Sequence, residues 1–242
     1  MEEKRDPMFK DFLLVRNPPD KSPEVTQRYL EFNHAPLALS VPIISQKMQL
    51  YTMNHVADGV AEACRLYPPI SRIATVVEHG LGGWKSLEQI VADQTYSTTI
   101  RADEEYMVNN IMDGWPQFVA ITDEERIFTS ASHSDLRMLD FVRRPSCVTR
   151  EAFLTELKDD GAWAIANRRY RSGCAKRVHS LESAASAAFG VEGEPFDAVI
   201  EVWIAEIAEM QSLMDEQRQR RSTFCDAARS CTVVTREHRI RG

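Results

Sequence analysis

Apolar and polar positions along the chain repeat with two periods, and these periods predict its elements. Residues 8–16 (MFKDFLLVR) are apolar enough for a central strand, and residues 47–56 alternate as a half-buried strand does. Val25, Tyr29 and Phe32 recur at helical spacing. Up to residue 122 the pattern predicts a strand at 8–16, a helix at 22–34, strands at 45–56 and 70–78, helices at 84–92 and 101–112, and a strand at 117–122.

The same order of elements returns in the second half of the chain. The pattern there predicts a strand at 136–143, a helix at 149–169, strands at 175–181 and 196–204, a helix at 205–220 and a strand at 231–236. A repeat of about 125 residues indicates a tandem duplication of one α+β unit. We therefore place two domains at 1–130 and 131–242.

Each predicted half contains enough strands and helices to form one small α+β layer structure. A four-stranded antiparallel sheet with two helices on one face leaves its other face apolar and uncovered. In a duplicated chain the second sheet covers the first, so we expect two four-stranded sheets packed face to face as a pseudo-symmetric barrel. Further assembly into a homodimer is compatible with this arrangement but not required by it.

Composition narrows the classes of partner and location. The 242 residues carry a net charge of -7. The chain therefore lacks the excess of basic residues that is typical of nucleic-acid-binding proteins. The sequence has no apolar run of about 18 residues, and its N-terminus is charged, unlike a signal peptide. We therefore expect a cytoplasmic protein with no membrane partner. The five cysteines show no CxxC spacing and predict reduced thiols, not a disulfide framework or a zinc site.

The segment Asn33-His34-Ala35-Pro36 is the first candidate for chemistry. Pro36 disfavours helical geometry at the residue before it, so we expect the helix to end at His34. Imidazole titrates near neutral pH, and a helix C-terminus stabilises its protonated form, which suits a general acid or base. The alternative is a histidine that only caps the helix. Asn33 is a candidate hydrogen-bond donor to a substrate oxygen, although Asn at a helix end is also common for backbone reasons.

Tyr51 and His55 are four residues apart on the predicted second strand, so they point to the same face of the sheet. If helices cover that face, Tyr51 can hold a substrate oxygen and His55 can relay a proton. If the face packs on the other sheet, both are interface residues. Tyr29 lies one helical turn before His34 and is a candidate for the wall of a pocket, or simply a core residue.

Carboxylates on the second helical region supply a partner for the histidine. Asp103 or Glu104 facing His34 would orient the ring and raise its pKa, and Tyr106 is a neighbouring aromatic candidate. His79 precedes a glycine-rich segment that we expect to be a loop, where it would line the entrance. His34, His55, His79 and Glu78 lack the spacing of a metal motif, so we predict no metal site.

These residues resemble a known family. The opening strand FLLVRNPPDKSPE, the helix YLEFNHAPLA, the strand LYTMNHV and the acidic-aromatic DEEYM at 103–107 are similar to an EthD-type member of the dimeric α/β-barrel superfamily. The resemblance implies two tandem ferredoxin-like units and no cofactor. It also implies a lyase or isomerase acting on an aromatic or phenolic small molecule, as in aromatic-compound catabolism or polyketide-like metabolism.

Two other functions are alternatives to the lyase or isomerase hypothesis. One is a cofactor-free monooxygenase, and the other is a non-catalytic binding or accessory protein for a hydrophobic metabolite. The second half has Ala162-Trp163-Ala164-Ile165 where the first has the segment 33–36. Because an imidazole is missing there, we expect one working site, in the N-terminal half.

Overall fold

Eight antiparallel strands close into one barrel in a computed structural model that describes residues 9–57, 59, 64–182 and 196–241. The strands are β1 (Phe9–Arg16), β2 (Met48–Val56), β3 (Ile73–Leu81), β4 (Gln117–Thr129), β5 (Leu136–Val142), β6 (Cys174–Glu182), β7 (Ala198–Ile204) and β8 (Cys231–Arg241). Their order around the barrel is β1-β3-β2-β8-β5-β7-β6-β4.

The helices lie outside the barrel, where they cover the outer face of the sheet. They are α1 (Pro23–Tyr29), α2 (Ala35–Ser40), α3 (Pro42–Lys47), α4 (Trp84–Ala92), α5 (Arg101–Asn110), α6 (Arg150–Ala166), α7 (Arg168–Gly173), α8 (Ile207–Ser212) and α9 (Met214–Arg221). Short π-helical segments, 30–34 and 96–100, precede α2 and α5. None of the helices in the described ranges has the length and hydropathy of a membrane span.

The two halves of the chain contribute matching sets of strands to the barrel. Around the barrel the first half is ordered β4-β1-β3-β2 and the second β8-β5-β7-β6, so in each half the strands lie in the order fourth, first, third, second. The expected face-to-face sheets are in fact joined along both edges, by β2 with β8 and by β4 with β6. Strands β4 and β8 are longer than predicted because their additional residues pair across these two seams.

The predicted end of the first helix at His34 is wrong. The helical chain continues from Pro23 to Ser40, through the π segment Leu30–His34 and into α2. The amide of Ala35 bonds to the carbonyl of Leu30, five residues back, so the register changes by one residue immediately before Pro36. The wider turn accommodates the proline, and His34 lies inside the helical layer instead of at a negatively polarised end.

The predicted loop at His79 is also wrong, because β3 continues to Leu81. Gly80 pairs with Lys10 on one side and with Leu50 on the other, so the strand is bonded on both edges at this point. The chain turns only after it, where Gly83 adopts a φ of 120°.

The interior of the barrel is apolar along most of its length and ionic where β1 and β5 begin. Lys10 Nζ lies 2.7 Å from Glu78 Oε1 and 2.9 Å from Glu201 Oε1, and Arg137 donates to Glu78 and Glu201. All four side chains are at most 5% exposed. Lys10 also lies 2.9 Å from Glu124 Oε2. Each cation therefore bonds carboxylates of both halves, which links the two halves through the barrel.

Candidate functional site

In the helical layer of the first half, a histidine and a tyrosine bond to one carboxylate. His34 Nδ1 lies 2.7 Å from Asp103 Oδ2, and the Tyr29 hydroxyl donates to Asp103 Oδ1 at 2.6 Å. His34 and Asp103 are about equally buried, with side chains 13% and 12% exposed. The residues are 69 positions apart in sequence, so only the fold brings them together.

The contact with Asp103 determines which ring nitrogen of His34 carries a proton. The hydrogen bond from His34 is the main reason that the pKa of Asp103 is lowered; burial opposes the shift and the Tyr29 hydroxyl supports it. An ionised carboxylate can only accept, so Nδ1 must carry the proton and the lone pair of the neutral ring lies on Nε2. Nε2 forms no hydrogen bond with the described residues and is not fully enclosed. It is free to take a proton from a bound molecule.

Helical periodicity explains why these polar groups face inward. Asp103 and Glu104 lie between the buried side chains of Ile100 and Met107, at spacings of three, four and seven residues. His34 follows buried Leu30 by one turn on the neighbouring segment. Both faces therefore pack toward the sheet.

The sheet beneath them presents Tyr51 and a second histidine–carboxylate pair. His79 Nδ1 lies 2.9 Å from Asp11 Oδ1, and the rings of His79 and Tyr51 are in edge-to-face contact at 4.7 Å. Tyr51 is only 1% exposed, and its hydroxyl has no hydrogen-bond partner among the described residues. Burial raises the pKa of Tyr51, and Asp11, Asp103 and Glu104 raise it further, so the phenol stays protonated. Such a hydroxyl can donate to a substrate oxygen.

Of the remaining helix-borne candidates, two lie beside the group around Asp103 and one lies outside it. The Tyr96 hydroxyl donates to Glu104 Oε1 at 2.9 Å, and the Tyr106 ring packs on Tyr29 at 5.6 Å while staying half exposed. Asn33 is exposed. Glu104 and Tyr106 thus border the group around Asp103, and Asn33 does not join it.

His55 shares the helix-covered face with Tyr51, as their spacing predicts, but lies in a different cluster. Its Nε2 is 3.5 Å from Glu31 Oε2, and its ring stacks on His238 of β8. Burial lowers the pKa of His55. In the described part of the chain, no hydrogen bond, ion pair or ring contact joins His55 to His34 or Tyr51.

The side chains considered for a metal do not converge. Glu78 points into the barrel, whereas His55 and His79 lie on the outer face of the sheet and His34 lies on a helical segment that covers this face. Within the described residues, no group of three His, Cys, Asp or Glu side chains has the geometry of a metal site.

Sequence reasoning missed two residues beside these candidates, Asp11 and Tyr96. Asp11 had a signal, because a charged residue in the middle of an apolar central strand requires a buried partner. Tyr96 precedes the predicted helix at 101–112 and had none.

The second half carries a different set of groups at the matching places. Trp163, which the repeat in the sequence aligns with His34, donates its indole N–H to Glu216 Oε1 at 3.0 Å. Glu78 and Glu201 occupy matching positions on the third strand of each half. Tyr51 pairs with His79, the residue after Glu78, and Arg177 pairs with Val202, the residue after Glu201. Arg177 therefore takes the place of Tyr51. An indole cannot accept a proton and an arginine stays charged, so these groups do not supply acid–base chemistry.

Arg177 belongs to a buried ionic group in the second half with Asp160 and Arg221. Burial opposes ionisation of Asp160, but the two arginines outweigh it and hold its pKa below the ordinary range. The lowered pKa of Asp160 in the folded protein adds to the free energy of unfolding. This contribution is complete above the pKa of Asp in the unfolded chain, about 3.9, and is lost as the pH falls through the pKa in the folded protein.

Replacing Asp160 with Asn is therefore expected to cost about 2 kcal/mol of unfolding free energy at pH 7. The difference in unfolding free energy between wild type and variant should become smaller below about pH 4. Urea unfolding of both proteins at neutral and acid pH measures this difference. A difference that does not change with pH would contradict the lowered pKa of Asp160.

Comparison with known proteins shows the fold and no closer relationship. No protein-family model matches the chain, and no curated protein matches its sequence. An anthrone oxidase-like protein is similar in structure, with a TM-score of 0.60, 10% identity, and 98% of this chain and 94% of that one covered. A candidate monooxygenase from Fusobacterium nucleatum subsp. nucleatum has a TM-score of 0.52 and 7% identity, with 99% and 97% covered.

A mutant chlorite dismutase from Candidatus Nitrospira defluvii is similar to the same degree, with a TM-score of 0.52, 7% identity, and 94% and 91% of the two chains covered. These neighbours belong to the dimeric α/β-barrel superfamily, and the closed sheet of this chain fits that fold. Identities of 7% to 10% show the fold alone.

Proposed function

We propose that the chain is a cofactor-independent acid–base enzyme that takes a proton from an aromatic or phenolic small molecule. The observation that carries this proposal is the 2.7 Å contact between His34 Nδ1 and Asp103, which leaves Nε2 as the accepting atom. Tyr51 supplies a protonated hydroxyl for the substrate oxygen, and Tyr29 and Tyr106 supply aromatic walls. Every group in this step is a protein side chain.

Two reactions can follow removal of the proton. Return of a proton at another position, or loss of a leaving group, is the chemistry of an isomerase or lyase. Reaction of the carbanion with oxygen is that of a cofactor-free monooxygenase. The similarity to an anthrone oxidase-like protein and a candidate monooxygenase favours testing the second reaction beside the first.

We also propose that the two halves are tandem ferredoxin-like units of an EthD-like protein, at 1–130 and 131–242, with one working site in the first. The matching strand order supports the duplication, and Trp163 in place of His34 supports the single site. The second half then serves chiefly to close the barrel.

Anthrone is the test molecule, because it is an aromatic ketone whose methylene group ionises to a phenolate-like anion. Oxygenation converts the methylene to a carbonyl and gives anthraquinone and water from equimolar anthrone and oxygen. We expect the full-length protein to speed oxygen uptake and anthraquinone formation above the buffer rate.

Each other outcome has a clear meaning. Faster proton exchange at the methylene without oxygen uptake would indicate the lyase or isomerase reaction. Tight binding with neither exchange nor oxygen uptake would contradict the enzyme and favour a binding or accessory protein.

A further inference from the structure

A row of three side chains crosses the sheet beneath the His34–Asp103 pair. Asp11 of β1 is the cross-strand neighbour of His79 on β3, and His79 is the cross-strand neighbour of Tyr51 on β2. All three point to the helix-covered face, since they share one level of the pleat. The row is thus fixed by the register of three adjacent strands.

The Asp11–His79 contact has the same form as His34–Asp103. Asp11 is 2% exposed, and its Oδ1 lies 2.9 Å from His79 Nδ1. A carboxylate accepts, so Nδ1 donates and Nε2 is left as the second titratable atom of the ring. His79 Nε2 forms no hydrogen bond with the described residues and is not fully enclosed. A positioned imidazole with a free nitrogen can give or take a proton.

Tyr51 connects the two pairs. Its ring contacts His79, and it packs in the same apolar cluster as Leu30, Ile100 and Met107, which flank His34 and Asp103 along their helices. Asp11 and Asp103 both act electrostatically on its hydroxyl. The unpartnered hydroxyl therefore belongs to a residue that contacts His79 and shares the apolar cluster beneath His34 and Asp103.

We propose that His79, positioned by Asp11, is a second proton-transfer group that acts on the same substrate as His34. This inference rests on the proposed function. The substrate class it implies is an enolisable aromatic ketone or phenol whose oxygen binds the Tyr51 hydroxyl and whose conversion needs two proton transfers.

The proton balance shows why two groups are useful. In oxygenation, His34 takes a methylene proton, oxygen adds to the carbanion, and protonated His79 gives a proton to the resulting peroxide anion. Neutral His79 then takes the second proton from that carbon, which forms the carbonyl, breaks the O–O bond and releases hydroxide. The proton held by His34 converts the hydroxide to water, so both histidines return to their starting states. In isomerisation, His34 removes the proton from one carbon and His79 delivers one to another.

The experiment separates the two steps with anthrone as the probe. Deuterium exchange at its methylene in D₂O without oxygen reports proton removal, and anthraquinone formation in air reports the complete reaction. We expect His79→Gln to keep exchange within about threefold of wild type and to lose at least about 10²-fold in product formation. His34→Gln should lose both, and Asp11→Asn should shift the pH profile of product formation.

Two results for His79→Gln would overturn the inference and leave the proposed function standing. One is product formation at the wild-type rate, and the other is an equal loss of exchange and product formation. His133→Gln, at an exposed linker histidine, is the control for the effect of the substitution itself.

A wild-type protein that does not speed exchange would instead contradict the proposed function. NMR of protein labelled with ¹⁵N-histidine still tests the inference in that case, with 1-naphthol as the added phenol. We expect the Nε2 signal of His79 to shift on addition of the phenol, and Asp11→Asn to change its tautomer. A His79 signal unaffected by both would overturn the inference.

Discussion

His34→Gln is expected to lower the rate of anthrone-dependent oxygen uptake about 10²- to 10⁴-fold, the usual contribution of a positioned acid or base. Glutamine retains a donor that can bond Asp103 but has no group that titrates near neutral pH. The loss should therefore appear in kcat more than in KM, because proton removal and not substrate binding is impaired. Steady-state oxygen uptake measures it.

Asp103→Asn tests the same pair from the other side. An amide can donate to Nδ1, which would place the ring proton on Nε2 and remove the accepting lone pair. We expect a loss in the same direction as for His34→Gln. His133→Gln is the matched control and should keep the wild-type rate, and equal rates in His34→Gln and His133→Gln would contradict the role of His34.

Glu201→Gln is expected to destabilise the protein by about 3–5 kcal/mol, because it leaves Lys10 and Arg137 without one of their buried carboxylates. Glu201 is fully buried inside the barrel and bonds a cation from each half. Water cannot reach the cations to compensate for the lost charge. The midpoint of urea unfolding should fall without a change in the slope if unfolding stays cooperative.

An exposed ion pair gives the matched control for that prediction. Arg236 and Asp135 lie 3.0 Å apart with side chains 52% and 56% exposed. Asp135→Asn should change stability by less than about 1 kcal/mol, since surface pairs contribute little. Equal effects of Glu201→Gln and Asp135→Asn would show that the interior charges do not hold the two halves together.

Local patterns in the sequence were enough to predict most elements of the barrel. Burial of both faces of a strand requires an apolar run, as at β1, and burial of one face requires alternation, as at β2. Each pattern can be seen within one short segment of the sequence. The repeat of element order predicts two halves, and the strands of both halves lie in the same order around the barrel. The two seams were not visible, because pairing of β2 with β8 joins strands far apart in sequence.

The site was predictable only in part, for two physical reasons. Pro36 correctly signals a break in α-helical register, but a π turn absorbs the break and the helix continues, which the residue type alone does not show. Contacts such as His34 with Asp103 and His79 with Asp11 depend on packing of distant segments. Sequence could propose Asp103 as a partner for His34, but only the fold selects it over Glu104.

The central claim is that His34 removes a proton from an enolisable aromatic substrate. Deuterium exchange at the anthrone methylene in oxygen-free D₂O, followed by NMR, tests it most directly because no later step contributes. We predict that wild-type protein speeds exchange above the buffer rate and that His34→Gln returns it to that rate. Exchange that wild type does not speed, or that His34→Gln speeds equally, would contradict the account.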